Sequence, residues 1–296
     1  MSWDASPEAF ANVMTLRRRP NVGPAISVVM PTCQRAHQIG ASVESLLCGH
    51  WRDFELLVRD DGNGGDGTRE AIERAAQGDS RVQYTRNAIS LGMPENLNSG
   101  IHDTQGAYIV VCHDHDIYAA DYLSALLDTL RSHPSAGFAH CAIEMMTQQG
   151  EVKATHIGPW AGLTKGSEWL EVMLKGLSCP VCALTMVPRA MYEQHGLYNP
   201  AFGFVSDVEM WMRLAACSDV SYVSRPLIKV RERESEHIAT ARAIEIARTI
   251  VRIHRKYLPV KYRGWRKLHK RARLEATYGV LVAKTAIRHV IPRGIL

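Results

Sequence analysis

No uninterrupted apolar run in this sequence approaches the roughly 18 residues that a membrane-spanning helix needs. No transmembrane helix is therefore expected. Residues 1–21 lack the apolar core of a secretory leader and end in Arg17-Arg18-Arg19-Pro20, which argues against a signal peptide. The seven cysteines are scattered and odd in number, a pattern suited to a reducing compartment. A cytoplasmic location is expected on these grounds. Cys179-Pro180-Val181-Cys182 has metal or redox spacing, but no second C-x-x-C accompanies it, so no such role is assigned. The glycines of 62–67 are not followed by Gly-Lys-Ser/Thr, which excludes a P-loop, and although Gly62, Gly64 and Gly67 stand at G-x-G-x-x-G spacing, no dinucleotide site is assigned to them. Asp61-x-Asn63 begins like a calcium loop. An EF-hand, however, wants Gly where Asp66 stands and Glu where Ile72 stands. Internal repeats and low-complexity tracts are also missing.

Acidic residues are missing from one stretch in particular. Ten Lys or Arg lie between Arg252 and Arg273 with no Asp or Glu among them. The net charge of +5 therefore conceals an acidic body and a basic terminal segment. Such asymmetry points to a local contact with an anionic partner. Tyr257, Tyr262, Trp265 and Leu268 are interleaved with the cations. The segment can lie peripherally on an anionic membrane at its inner face, cover the domain, or present a solvated helical face. No nucleic-acid motif accompanies it, so no nucleic-acid partner is expected.

What is present is an alternation of short β-rich runs and helical stretches. Strands are expected at 25–30, 54–59, 82–85, 108–111 and 136–141. Helices are expected at 37–48, at 68–77 with Thr68 as cap, at 94–103 and at 122–132. This spacing indicates βαβ units and a mainly parallel sheet. Beyond residue 142 the pattern loosens. Helices are expected at 168–175, 189–195 and 208–216, and strands at 185–187, 221–223 and 228–230. From Ile238 onward the sequence reads as two helices broken near Pro259.

Ligands of open parallel sheets bind beyond the carboxyl ends of the strands. Three polar clusters fall there: Pro31-Thr32-Cys33-Gln34-Arg35, Asp60-Asp61-Gly62 and Asp114-His115-Asp116. Asp61 can accept hydrogen bonds from a base or from ribose hydroxyls. If the segment after Val111 is extended, Asp114 and Asp116 point to one side and can hold a hard divalent cation on a diphosphate. Alone, a D-x-D more often marks a polar loop. It is the convergence of the three clusters that carries information.

In order along the chain stand Ile26-Ser27-Val28-Val29-Met30-Pro31-Thr32, Phe54-Glu55-Leu56-Leu57-Val58-Arg59-Asp60-Asp61-Gly62 with Asp66-Gly67-Thr68, Asn98-Ser99-Gly100-Ile101, Gly106-Ala107-Tyr108-Ile109 and Asp114-His115-Asp116. A later stretch reads Gly203-Phe204-Val205-Ser206-Asp207-Val208-Glu209-Met210-Trp211-Met212-Arg213-Leu214. This ordered set resembles the family 2 glycosyltransferases, inverting enzymes of the GT-A fold that use nucleotide-sugar donors. The resemblance spans about residues 25–233. It implies an α/β fold with a mainly parallel sheet flanked by helices. It also implies a GT-A domain (25–237) with a donor-binding half (25–142) and an acceptor-side half (143–237); an N-terminal arm (1–24) and a basic helical extension (238–296) are read from the sequence around it.

By the same resemblance, Thr32 and Asp61 hold the nucleotide, with Arg35 in the same loop. Asp114 and Asp116 bind the diphosphate through a divalent metal, manganese or magnesium, and Asp114 also belongs to the nucleotide site. Asp207 is the general base, with Trp211 and Arg213 in the same helix signature, and His237 is a donor-site or metal-contacting residue. The implied partners are a nucleotide-sugar, UDP-type, and a glycan or lipid-linked acceptor of cell-envelope polysaccharide synthesis. Asp207 also reads as a helix cap, and Glu209 is its rival as base.

The sequence departs from the family at Cys33-Gln34, where relatives often carry an aromatic residue and Asn, and at Arg59, where an apolar residue is usual. Many relatives also read D-x-D-D, whereas Ile117 follows Asp116. One acid is missing or the register is shifted by one, and His113 and His115 can then contribute to the metal. A catalytically inactive nucleotide-sugar or glycan-binding relative is the competing reading, and a nucleotidyltransferase of similar sheet architecture is a third.

Overall fold

The computed structural model describes Leu16, residues 23–175, Cys179, Val181, and residues 185–232 and 240–290. The C-x-x-C cannot be followed as a pair, because Cys182 lies outside the described residues.

Strand β1 (Ile26–Thr32) sits between β2 (Phe54–Asp60) and β4 (Tyr108–Val111), and β3 (Val82–Arg86) flanks β2, all in parallel. Both faces of β1 are buried, because side chains alternate across the sheet. Ile26, Val28 and Met30 join the core formed with α1 (Ile39–Leu47), α2 (Thr68–Ala76) and α4 (Tyr122–Ser132). Val29 points the other way. It joins the core made with α3 (Met93–Asp103), α5 (Gly166–Met173), α6 (Arg189–His195) and α7 (Ser206–Ala215).

The sheet continues beyond β4 through β9 (Met186–Pro188), β6 (Ala136–Met146) and β10 (Asp219–Arg231) to the two-residue β5 (Ile117–Tyr118). β9 is antiparallel to its neighbours, while β6 and β10 run parallel. β7 (Val152–His156) pairs with β6, and β8 (Leu163–Thr164) with β10. Neither short edge strand was expected from the sequence. The two strands expected at 221–223 and 228–230 are one strand, bent by register shifts around Pro226.

Two close approaches fix the geometry near β1. Gly106 donates its N–H to the Ser27 hydroxyl at 2.7 Å, and a Cβ added there would lie 2.6 Å from Ser27 N. Asn98 exchanges two hydrogen bonds with the Tyr198 backbone, at 2.8 and 2.9 Å, locking α3 to the segment that precedes α7. The unusual Arg59 is accounted for in the same region: its guanidinium pairs with Asp103 of α3 at 2.8 Å and reaches Ser99.

Two capping expectations are corrected. The cap of α2 is Gly67, at φ +84°, while the Asp66 carboxylate accepts from the Thr68 N–H and hydroxyl at 3.2 and 2.6 Å. A carboxylate there serves both the free amides and the helix dipole, leaving Thr68 as the first helical residue. The cap of α7 is Val205, so Asp207 lies inside the first turn and does not cap.

The terminal helices are α8 (Thr240–Lys261) and α9 (Gly264–Val290). α8 runs through Pro259, and the break falls instead just before Gly264, whose φ of +52° reverses the chain. Pro259 is in the last turn, where it disturbs one hydrogen bond to Arg255 rather than a ladder, while Tyr257 and Leu258 are held in the cores. Ile250, Ile253 and Tyr257 of α8 belong to the same core as Trp169 and Trp211.

Candidate functional site

A cavity of about 470 Å³ opens at the carboxyl ends of β1, β2 and β4. Thr32, Arg35, Asp61 and Asp114, four of the residues singled out from the sequence, line it together with His113 and His115. Phe204, Arg231, Arg242 and Ile246 also contribute to its wall. Asp116 and Asp207 do not line it, and His237 lies outside the described residues.

Thr32 ends β1. It is buried, and its hydroxyl has no hydrogen-bond partner among the described residues. An unsatisfied buried hydroxyl costs on the order of 1–3 kcal/mol. On a cavity wall, such a group marks a place where a bound ligand can restore the missing bond.

Asp61 is in the opposite state. Its carboxylate accepts from Asn87 Nδ2 and Leu91 N, both at 2.7 Å, and from Ser90 Oγ and Gly92 N, both at 2.9 Å. Partial burial opposes ionisation, but these donors outweigh it and hold the carboxyl below the ordinary Asp range. Asp61 thus organises the 87–92 loop as well as facing the cavity.

The acidic stretch departs from expectation. Residues 114–115 form a turn, so the side chains do not alternate as on an extended segment, and Asp114 and Asp116 part company. The turn is imposed by its flanks, since β4 pairs with β1 while β5 is clamped antiparallel to β10 at Ile228 and Lys229. Asp114 faces the cavity and accepts from His115 Nδ1 at 2.9 Å. Asp116 is fully buried. It accepts from the Arg231 N–H at 2.9 Å and from His113 Nδ1 at 3.1 Å.

Burial opposes charge on both members of the His113–Asp116 pair. Their hydrogen bond and mutual attraction win, so Asp116 titrates below and His113 above the ordinary value. Asp207, half-buried in α7, is close enough for its charge to add to the rise at His113. One donor atom from each of His113, His115 and Asp116 lies within 4.8 Å of the others. Two imidazoles and a carboxylate are a donor set that fits a divalent cation.

The helix signature around Asp207 divides sharply by burial. Trp211 is buried 5.3 Å from the Phe138 ring, and Arg213 donates to the carbonyls of His195 and Leu197. Glu209 is fully buried, accepting from Tyr257 Oη at 2.7 Å and Lys256 Nζ at 2.8 Å with Arg213 Nε at 3.3 Å. The rival base is therefore a structural anchor between α7 and α8.

Sequence reasoning missed Arg231. Besides its backbone bond to Asp116, its guanidinium donates to the His115 carbonyl at 3.1 Å and the Gln148 carbonyl at 2.6 Å, closing the end of β10 over the acidic turn. Arg242 was missed as well. It sits over the Phe204 ring at 5.4 Å, where α8 reaches the cavity. Both are cations at a site expected to hold a diphosphate. The signal was the Arg231-Glu232-Arg233 run, but no spacing rule connects it to residues more than 100 positions earlier.

The sequence model described as Glycosyl transferase family 2 matches residues 27–192. A GalNAc(5)-diNAcBac-PP-undecaprenol beta-1,3-glucosyltransferase of Campylobacter jejuni is 29% identical over 150 residues, which are 49% of this chain and 45% of that protein. An uncharacterized glycosyltransferase of Rickettsia felis is 22% identical over 207 residues, 70% of this chain and 33% of that one. The chain thus spans less than half the length of both relatives. Among solved structures, S. aureus TarS 1-349 in complex with UDP-GlcNAc superposes with a TM-score of 0.63 at 16% identity, over 86% of this chain and 72% of that one. A mannosyltransferase from Pyrobaculum calidifontis in complex with GDP-Man and Mn2+ does so with a TM-score of 0.60 at 17% identity, over 95% and 78%. At these identities the structural likeness concerns the fold.

Proposed function

Because the chain belongs to glycosyltransferase family 2 and has the GT-A fold, we propose that it transfers a sugar, with inversion, from a nucleoside-diphosphate donor to a glycan or lipid-linked acceptor. The observation that carries the reading is a cavity at the strand ends that gathers Thr32, Arg35, Asp61 and Asp114. Thr32 and Asp61 hold the nucleoside, with Asp61 exchanging a loop donor for one from the ligand. Arg35, Arg231 and Arg242 supply positive charge toward the diphosphate. The TarS complexes with UDP-GlcNAc and UDP support a UDP-type donor, and the undecaprenol-linked acceptor in the Campylobacter protein's name supports a lipid-linked one.

Asp207 removes the proton from the acceptor hydroxyl as its oxygen attacks the anomeric carbon. The bond from that carbon to the diphosphate oxygen breaks in the same displacement, and the nucleoside diphosphate leaves on the opposite face. A divalent cation, when bound at the acidic turn, neutralises the charge building on that leaving group.

α9 supports the lipid-linked alternative. It packs on α8 through Leu274 and Tyr278, which leaves the other side of the helix outward. Trp265 and Leu268, 81% and 57% exposed, and Val280 recur there at helical spacing. We infer that this stripe, flanked by Arg266 and Arg273, rests on an anionic membrane surface.

The test of the reaction is Asp207→Asn. Transfer or donor hydrolysis should fall by about 10²–10⁴-fold, with donor affinity by calorimetry and the unfolding midpoint unchanged. Turnover at the native rate would remove Asp207 as base.

A further inference from the structure

We propose that the cation centre of this chain is nitrogen-rich, with His113, His115 and Asp116 as ligands, and that Asp114 is the carboxylate that aims His115. The proposal deepens the glycosyltransferase reading and depends on it only for what the ion does in the reaction. The resemblance alone would give the metal to Asp114 and Asp116.

The register supports the change. Shifted by one residue, so that its last acid falls on Asp116, D-x-D-D lies on His113-Asp114-His115-Asp116. Imidazoles then stand at both D-x-D positions, and Asp116 becomes the final acid. No residue is missing in that register.

The geometry supports it independently. His115 Nε2 lies 3.8 Å from Asp116 Oδ1, and His113 Nδ1 lies 3.1 Å from Asp116 Oδ2, where the ion would take the place of the proton that His113 now donates. Ligands about 2.0–2.2 Å from a common ion sit at mutual separations of this order. The two imidazoles stack at 5.3 Å and 11°, so their donor edges stand side by side. Asp114, by contrast, is engaged with the other nitrogen of His115. A carboxylate accepts only, so His115 Nδ1 carries the proton and Nε2 turns its lone pair toward Asp116. Metal-binding histidines are commonly oriented this way, by a carboxylate on the far ring nitrogen.

Hydrogen bonds from outside the turn hold the ligands. Arg231 N–H holds Asp116, and the Tyr118 hydroxyl donates to the His113 carbonyl at 2.9 Å.

The consequence is a change of preferred cation. Oxygen ligands suit magnesium, whereas imidazoles favour ions further along the series from manganese to cobalt and zinc. The centre should therefore select a transition metal over magnesium.

The experiment uses the full chain with cobalt(II) as probe, first alone and then with UDP. Calorimetry gives the affinity, and X-ray absorption of the cobalt-loaded protein shows whether histidine nitrogens surround the ion. Circular dichroism confirms that each variant is folded. The expected result is a cobalt affinity at least tenfold above that for magnesium, with a histidine signature. His113→Ala and His115→Ala should each weaken cobalt at least tenfold. Asp114→Asn, which keeps an acceptor for His115 Nδ1, should weaken it less than either. Native cobalt affinity in both histidine variants, oxygen-only coordination with and without UDP, or magnesium bound as tightly as cobalt would each overturn the proposal. A protein that passes these tests yet transfers no sugar would instead overturn the glycosyltransferase reading.

Discussion

Asp207 and Glu209 stand two residues apart in the first turn of α7, and burial separates their fates. The resemblance favours Asp207, but two acids on one helical turn carry no sign in the sequence of which one is buried. The structure surrounds Glu209 with Tyr257, Lys256 and Arg213 and leaves Asp207 half-buried beside the acidic turn. Removing one side of a buried charge cluster strands the other, at a cost of about 3–5 kcal/mol. Glu209→Ala should therefore lose about 3 kcal/mol in urea unfolding, whereas Asp207→Asn should keep its midpoint. A Glu209→Ala loss below about 1 kcal/mol would count against the anchor role. The acidic turn shows a different limit of sequence reading. D-x-D predicts a shared side only on extended backbone, and whether that backbone is extended depends on β5 finding β10, more than 100 residues away in the chain.

Elements were legible in proportion to how much of their stability is local. The strand at Tyr108–Val111 and the helices at Tyr122–Ser132 and Arg189–His195 fall where periodicity places them. The edge strands β7 and β8 have no such signature. Every residue of β7 is exposed, so no apolar alternation announces it. β10 read as two strands because Ser224, Arg225 and Pro226 interrupt its apolar pattern, while the ladder to β6 resumes beyond them. The Gly106 motif was legible only as resemblance, and the structure supplies the cause in its approach to Ser27. Gly106→Ala would force a Cβ against Ser27 N and Ile26 C of the β1 backbone and against the Ser27 hydroxyl. A loss of about 1–3 kcal/mol is expected from overpacking there. The check is the urea midpoint, and an unshifted value would mean that β1 yields at this point.

At the scale of the whole molecule, the most basic stretch of the sequence coincides with exposed apolar residues of α9. Cations cluster in 252–273. Arg255 of α8 pairs with Glu275 of α9 at 2.6 Å and Lys270 lies over the Tyr262 ring, while Arg242 and Ile246 at the other end of α8 line the cavity. No described helix is long and apolar enough to cross a membrane. The association proposed above is with a surface, through Trp265 and Leu268 among the flanking arginines. Trp265→Ser with Leu268→Ser should cut sedimentation with phosphatidylserine-containing vesicles by about tenfold, leaving the unfolding midpoint unchanged, since both side chains are largely exposed. Equal sedimentation of the double variant, or equal binding to neutral vesicles at high salt, would assign the stripe to another partner.

Asp61 has a consequence that reaches past its own bonds. Its carboxylate offers about four acceptor positions, and the loop already fills them from Asn87, Ser90, Leu91 and Gly92. On the proposed reading, a nucleoside hydroxyl or base N–H therefore arrives as a competitor for an occupied acceptor. Affinity for the donor then reflects an exchange, in which the new hydrogen bond counts only against the one it displaces. Strengthening the loop's hold on Asp61 would make the protein more stable and a poorer binder by the same substitution.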